Sequence, residues 1–147
     1  ARSFFYLGRG PSYPLALEGA LNLKELSYIH AEGYAAGEMK HGPIALIDPD
    51  FPTFALALRD EFFAKMVSNI EQVQARQGRV IVLTQPDSCG ECGDLHADVL
   101  WMLPSCHSEL ASFLALPALQ LFSYEVADYL GKDVDQPRNL AKSVTVE

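Results

Sequence analysis

Three short apolar runs, separated by segments with helical periodicity, constrain the fold of this sequence more than any other feature. They cover residues 4–7, 52–58 and 80–83. The last run is continuous and rich in β-branched residues, as strands are when a parallel sheet is buried on both faces. Strands that alternate with helices predict an α/β domain with a parallel sheet. We expect a fourth strand at residues 98–103.

The segments between these runs predict helices. The first helix covers residues 12–30. The second follows a cap at Asp60 and ends at the glycine at position 78. The third covers residues 108–130, with a break or a new start at Pro117. A short helix is expected at residues 37–41. The turn Gly8-Arg9-Gly10 follows the first strand, and ligands of such sheets bind beyond the carboxyl ends of the strands.

Composition disfavours several classes of function. A net charge of -8 argues against nucleic acid, whose binding needs clustered lysine and arginine. The sequence contains no run of 18 or more apolar residues, so we expect no membrane span. Three cysteines without a secretory segment favour free thiols in the cytoplasm. The glycine turn lacks the third glycine of a dinucleotide fingerprint, no Walker loop is present, and we expect no cofactor.

An acidic stripe runs along the first predicted helix. Glu18, Asn22 and Glu25 lie within about 60° of one another at 100° per residue. Much of the remaining circumference is apolar, which predicts a mostly buried helix: Leu15, Leu17, Leu21, Leu23, Leu26 and Tyr28. The stripe therefore faces either a cavity or simply water, as charged residues usually do.

Two further groups could carry chemistry. His41 stands at the end of the short helix, where it could carry protons at neutral pH or be a structural or surface histidine. The cysteines at positions 89, 92 and 106, with His96, resemble part of a zinc site. Their spacing is irregular and the segment is a polar loop, so we expect no bound metal.

Three stretches of sequence resemble a known family. They are Leu17-Glu-Gly-Ala-Leu-Asn-Leu-Lys-Glu-Leu-Ser-Tyr-Ile-His30, Gly37-Glu-Met-Lys-His-Gly-Pro43, and the tail from Asp133 to Glu147, which contains Gln-Pro-Arg-Asn-Leu-Ala-Lys-Ser. They resemble the second sugar-isomerase (SIS) domain of the glutamine:fructose-6-phosphate amidotransferases, also called glucosamine-6-phosphate synthases. The resemblance covers essentially the whole chain, and the tail is its most specific part.

The resemblance implies a flavodoxin-like, three-layer α/β/α sandwich. It divides the chain into a single SIS domain at residues 1–131 and a tail at residues 132–147 that contributes to the active site. It implies one part of a cytoplasmic, homodimeric module that turns fructose 6-phosphate and ammonia into glucosamine 6-phosphate. The glutaminase domain that supplies the ammonia, and the other SIS domain that holds the sugar phosphate, are absent from this chain, so the isolated chain is expected to be inactive.

The resemblance also implies roles for individual residues. Glu25 matches the base that moves a proton between C1 and C2, and His41 matches a histidine that assists ring opening in the neighbouring subunit's site. Lys142 matches the tail lysine that forms a Schiff base with the open-chain ketose. Ala141 and Val144 match residues that line the sugar site and the ammonia path.

One position departs from the family pattern. Asn22 stands where the family usually has a lysine beside the base; it can bind the sugar but brings no charge. A second class of function stays open, namely a non-catalytic SIS module that binds sugar phosphate or serves dimerisation.

Overall fold

The computed structural model describes residues 3–86 and 95–140 of the chain. Five described strands form one fully parallel sheet in the order β2-β1-β3-β4-β5. The strands are β1 (Ser3–Gly8), β2 (His30–Ala35), β3 (Thr53–Ala57), β4 (Val80–Thr84) and β5 (Val99–Met102). The predicted α/β fold with a parallel sheet is confirmed, and so are the four predicted strands.

Helices cover both faces of the sheet. They are α1 (Ser12–Ser27), α2 (Phe63–Gln74) and α3 (Ala111–Tyr129), with 3₁₀ helices at Ala36–His41, Pro43–Leu46 and Ser108–Leu110. Alternation along β1 sends Tyr6 into the core beneath α1 and α3, and Phe5 into the core beneath α2 and the 3₁₀ helix Ala36–His41. The predicted three-layer α/β/α sandwich is thus confirmed.

The first helix is shorter than predicted. It ends at Ser27 rather than at residue 30, because Tyr28 adopts a left-handed conformation (φ 63°) and donates its backbone N–H to the Lys24 carbonyl oxygen at 3.1 Å. His30 instead begins β2, a strand that the sequence did not predict. Its sequence, His-Ala-Glu-Gly-Tyr-Ala, has few of the residues that favour strands. The segment forms a strand because it pairs with the edge of β1.

The face that α1 buries also differs from the prediction. Small residues make most of the contact with the sheet and α3, together with the fully buried Leu23. A Cβ on Gly19 would come within 2.8 Å of the Tyr6 ring. Leu17 and Leu21 are 43% and 44% exposed. The expectation of a mostly buried leucine circumference was therefore wrong for these two residues, because close packing selects small side chains.

The break predicted at Pro117 does not occur. Pro117 lies on the exposed side of an unbroken α3, where water can satisfy the carbonyl that loses its partner. By length and composition alone, Ser108–Tyr129 could cross a membrane (mean hydropathy 1.4). One such helix is weak evidence of a span, since core helices share these properties, and here Ala115 and Leu119 are fully buried against the sheet and α1.

Candidate active site

The acidic stripe of α1 lies on the side of the helix turned away from the sheet. Glu18, Asn22 and Glu25 are all half-buried. The Asn22 side-chain amide donates to both the Glu18 carbonyl oxygen and its Oε1, at 2.7 Å each. Asn22 therefore holds Glu18 within the stripe. Within the described parts of the chain, Glu25 has no hydrogen-bond or ion-pair partner, so its carboxylate is available to a ligand.

The described part of the tail docks on Tyr28, at the end of α1 that carries Glu25. The backbone N–H of Arg138 donates to Tyr28 Oη at 2.9 Å, and its guanidinium carbon lies 4.2 Å from the centre of the Tyr28 ring. Lys132 Nζ lies 5.6 Å from the same ring centre. Tyr28 follows Glu25 by three residues, about one helical turn. The tail is thus anchored at the end of α1 that carries Glu25, while residues 141–147, including Ala141, Lys142 and Val144, lie outside the described residues.

His41 lies in a different layer from Glu25. It ends the 3₁₀ helix Ala36–His41, where its side chain is 72% exposed and its Nδ1 lies 2.7 Å from Glu38 Oε2. That helix packs through Met39 into the core beneath α2, whereas α1 packs into the core on the other face of the sheet. One copy of the domain therefore does not bring His41 and Glu25 to the same small molecule.

The topological switch point of the sheet is acidic. Between the carboxyl ends of β1 and β3 lies a cavity of about 290 Å³, whose lining includes Asp60, Glu61 and Glu109. Burial, followed by the nearby Glu61 charge, raises the pKa of Asp60, although the backbone N–H of Phe62 donates to its Oδ1 at 2.8 Å and opposes the shift. Asp60 thus shapes the turn before α2 rather than occupying the cap position itself. Three carboxyl groups disfavour a phosphate at the place where parallel sheets usually bind ligands.

The glycine turn lies at the carboxyl edge of β1, as predicted. It opens towards a cleft on the α2 side of the sheet, lined by Arg9, Lys40 and Lys65. These cations and the Tyr28 anchor were not among the site residues predicted from the sequence. An arginine between two glycines at a strand end was the available signal for the basic cleft. No sequence signal pointed to the Tyr28 anchor, because Tyr28 and Arg138 are 110 positions apart.

Among the described residues, no group of three or more metal-ligating side chains occurs. The Cys106 thiol accepts a hydrogen bond from Gln85 Nε2 at 3.1 Å and is a free cysteine. Cys89 and Cys92 lie outside the described residues, so the expected absence of zinc stays a prediction.

The fold and the sequence together define the class of protein. The SIS domain model matches residues 1–127. The structure also resembles the C-terminal domain of glucosamine-fructose-6-phosphate aminotransferase from Francisella tularensis, with a TM-score of 0.85 and 43% identity over 92% of this chain and 38% of that one. The chain belongs to the SIS domain family.

Within that class, curated relatives specify the group. Over its full length the chain is 56% identical to glutamine--fructose-6-phosphate aminotransferase [isomerizing] of Zymomonas mobilis and 55% identical to the protein of the same name from Sphingobium yanoikuyae. It spans 24% of the first and 94% of the second. The chain belongs to the glutamine--fructose-6-phosphate aminotransferase family, and it spans about a quarter of most of the relatives it matches.

Proposed function

We propose that the chain is the carboxy-terminal SIS unit of an enzyme that makes glucosamine 6-phosphate from fructose 6-phosphate and glutamine-derived ammonia. The observation that carries this proposal is the unpartnered Glu25 carboxylate, one helical turn before the Tyr28 side chain on which the tail docks. An enolisation needs a carboxylate close to the proton that it moves, and a half-buried carboxylate without competing partners meets that need. In this proposal Glu25 accepts the proton of one carbon of the open-chain sugar and returns it to the neighbouring carbon.

Chain connectivity supports a role for Lys142. Lys142 lies four positions after Arg138, which is anchored on Tyr28. Four extended residues span at most about 14 Å, so an anchored tail keeps Lys142 near the Glu25 end of α1. There its amine would attack the C2 carbonyl of the ketose and release water as the Schiff base forms. Ala141 and Val144 would line the sugar site and the ammonia path on the same segment, and Asn22 would contribute to sugar binding.

The position of His41 supports a dimeric site. Its layer is separated from Glu25 by the sheet, yet the side chain is largely exposed and close to a carboxylate that can orient the ring. We propose that it assists ring opening in the site of a second copy of the protein. The homodimer thereby completes two sites.

An outward apolar face supports the involvement of further units of the same polypeptide. Several large apolar side chains on α1 and around α3 are 43–73% exposed: Leu17, Leu21, Leu110, Phe113 and Leu121. Such a face is typical of a surface that another unit covers. We assign residues 1–131 to one SIS domain and residues 132–147 to the tail. The other SIS domain would hold the sugar phosphate, and the whole enzyme would be cytoplasmic.

The same face favours a second candidate function for the isolated chain, that of an assembly module. Without the phosphate-holding SIS domain, the chain lacks the remote binding that positions a small sugar for enolisation. We therefore expect no turnover of fructose 6-phosphate by the chain alone, with either glutamine or free ammonia. Turnover by the isolated chain would contradict this division of roles.

The decisive experiment uses the full-length enzyme of which this chain is a part, assayed with fructose 6-phosphate and free ammonia so that glutamine hydrolysis is bypassed. Glu25→Gln should lower kcat at least about 10²-fold, because the amide cannot accept a proton, while sugar binding stays within about tenfold. Glu18→Gln is the matched control on the same helix face and should retain most of the activity. If Glu25→Gln turns over near the wild-type rate while Glu18→Gln does not, Glu18 is the base.

Two further variants test the remaining roles. Lys142→Ala should harm both sugar binding and kcat, because a covalent bond to the ketose contributes before and during the chemistry. His41→Ala should slow ring opening, and mixed dimers of His41→Ala with Glu25→Gln should recover part of the activity at one of their two sites. Absence of any recovery in mixed dimers would contradict the exchange of His41 between subunits.

A further inference from the structure

A basic cleft lies at the carboxyl edge of the sheet, on the face opposite α1. Its polar lining comprises Arg9, Lys40, Lys65, Ser68, Asn69 and Gln72, and its volume is about 480 Å³. That volume is in the range of small-molecule sites. The cleft is formed by the turn after β1, the 3₁₀ helix after β2 and the outer side of α2, so it is separate from the Glu25 stripe.

Arg9 is positioned in this cleft before any ligand arrives. It is half-buried, and its Nη1 donates to the Oδ1 of Asn69 at 3.4 Å, where Asn69 is only 5% exposed. Gly37 leaves room for the guanidinium, since a Cβ at that position would lie 3.2 Å from Arg9 Nη1. A guanidinium in a defined position offers paired donors that match phosphate or carboxylate oxygens.

The charges of the cleft are not compensated. Across residues 3–86 and 95–140, none of the three cations Arg9, Lys40 and Lys65 forms an ion pair with a described carboxylate. Three cations in one cleft attract and retain a multivalent anion.

The neighbouring switch-point cavity has the opposite character. It is lined by Asp60, Glu61 and Glu109, so the two cavities at the carboxyl edge differ in sign. An anionic ligand that approaches this edge is therefore directed away from the switch point. We propose that the basic cleft is a binding site for a phosphate group, either inorganic phosphate or the phosphate of a small metabolite, distinct from the site of sugar isomerisation.

The test is a titration of the isotope-labelled 147-residue chain with inorganic phosphate at pH 7, followed by backbone amide chemical shifts at constant ionic strength. We expect saturable shifts centred on Arg9, Lys40 and Lys65, and weaker binding at higher salt. Arg9→Gln should weaken binding about tenfold or more, since it removes a charge-assisted pair, and Lys65→Gln should weaken it about threefold. Lys24→Gln, which removes the same charge from α1 in the opposite layer, should change binding less than twofold.

Further titrations identify the chemical class of the ligand, and control variants separate a loss of binding from a loss of folding. Citrate instead of phosphate reports on carboxylates, and fructose 6-phosphate reports on phosphate esters. Shifts at the cleft that persist in the Glu25→Gln chain separate this site from the proposed catalytic one. If Arg9→Gln loses its dispersed spectrum, Lys65→Gln alone decides, because its side chain is exposed on α2. Linear shifts without saturation, or equal binding by both cleft variants and the wild type, would overturn the proposal.

Discussion

Gly8→Ala should be among the most damaging single-methyl additions to this domain. Gly8 ends β1 directly before the turn into α1, and the strand passes against the first turn of that helix. An added Cβ would lie 2.1 Å from the Ser12 carbonyl oxygen, 2.5 Å from its carbon and 2.8 Å from the Tyr13 Cα. All three are backbone atoms, so no rotamer change can relieve the contact.

The magnitude follows from the displacement required. Ordinary contact begins near 3.4 Å, so the first turn of α1 would have to move by more than about 1 Å from β1. Overpacking of a close contact costs about 1–3 kcal/mol, and we expect about 3 kcal/mol because backbone must move. For a chain of 147 residues, at about 2–4 °C per kcal/mol, this corresponds to a Tm lower by about 6–12 °C.

Thermal and urea unfolding, followed by circular dichroism, would measure this loss. Gly37→Ala is the matched control, since its Cβ would meet only the flexible end of Arg9 at 3.2 Å. We expect that variant to unfold within about 2 °C of the wild type. A Gly8→Ala chain that is equally stable would refute the claim that close approach of β1 and α1 requires glycine.

Three further predictions concern single residues. Tyr6→Phe should change stability by no more than about 1 kcal/mol in urea unfolding, because the buried Tyr6 Oη makes only a long contact with the Ser123 side chain. Asp60→Asn should raise the Tm more at pH 7 than at pH 3.5. Burial raises the pKa of Asp60 above its usual 3.8, so this carboxyl favours folding at low pH and costs stability as the pH rises. Asn22→Lys should break the bonds to Glu18, add a charge one turn from Glu25 and raise kcat of the full-length enzyme; an unchanged or lower kcat would show that the asparagine is no handicap.

Local sequence was sufficient for most of the architecture. The continuous apolar run at residues 80–83 predicted a buried parallel strand, and the alternation of strands and helices predicted an α/β domain with a parallel sheet. The glycine turn after β1 was placed at the carboxyl edge for the same reason. These features depend on burial periodicity and turn chemistry within a few residues, which a sequence displays directly.

Where sequence reasoning failed, tertiary contact outweighed local preference. Strand β2 exists because β1 offers it a hydrogen-bonding edge, although its own residues favour strands weakly. Leu17 and Leu21 are exposed because the close approach of α1 to the sheet selects small residues. The Pro117 break is absent because that proline lies on the solvent side of α3.

The candidate site shows the same division. The sequence alone, through its family motifs, predicted that Glu25, His41 and Lys142 carry the chemistry, because side-chain types and motifs are local properties. Only the tertiary structure decided that Glu25 and His41 lie on opposite faces of the sheet and that the tail docks on Tyr28, one turn beyond Glu25. It also brought Arg9, Lys40 and Lys65 into one cleft. Each of these juxtapositions joins residues from separate elements, and their distances are set by the order of strands in the sheet and the layer in which each helix packs.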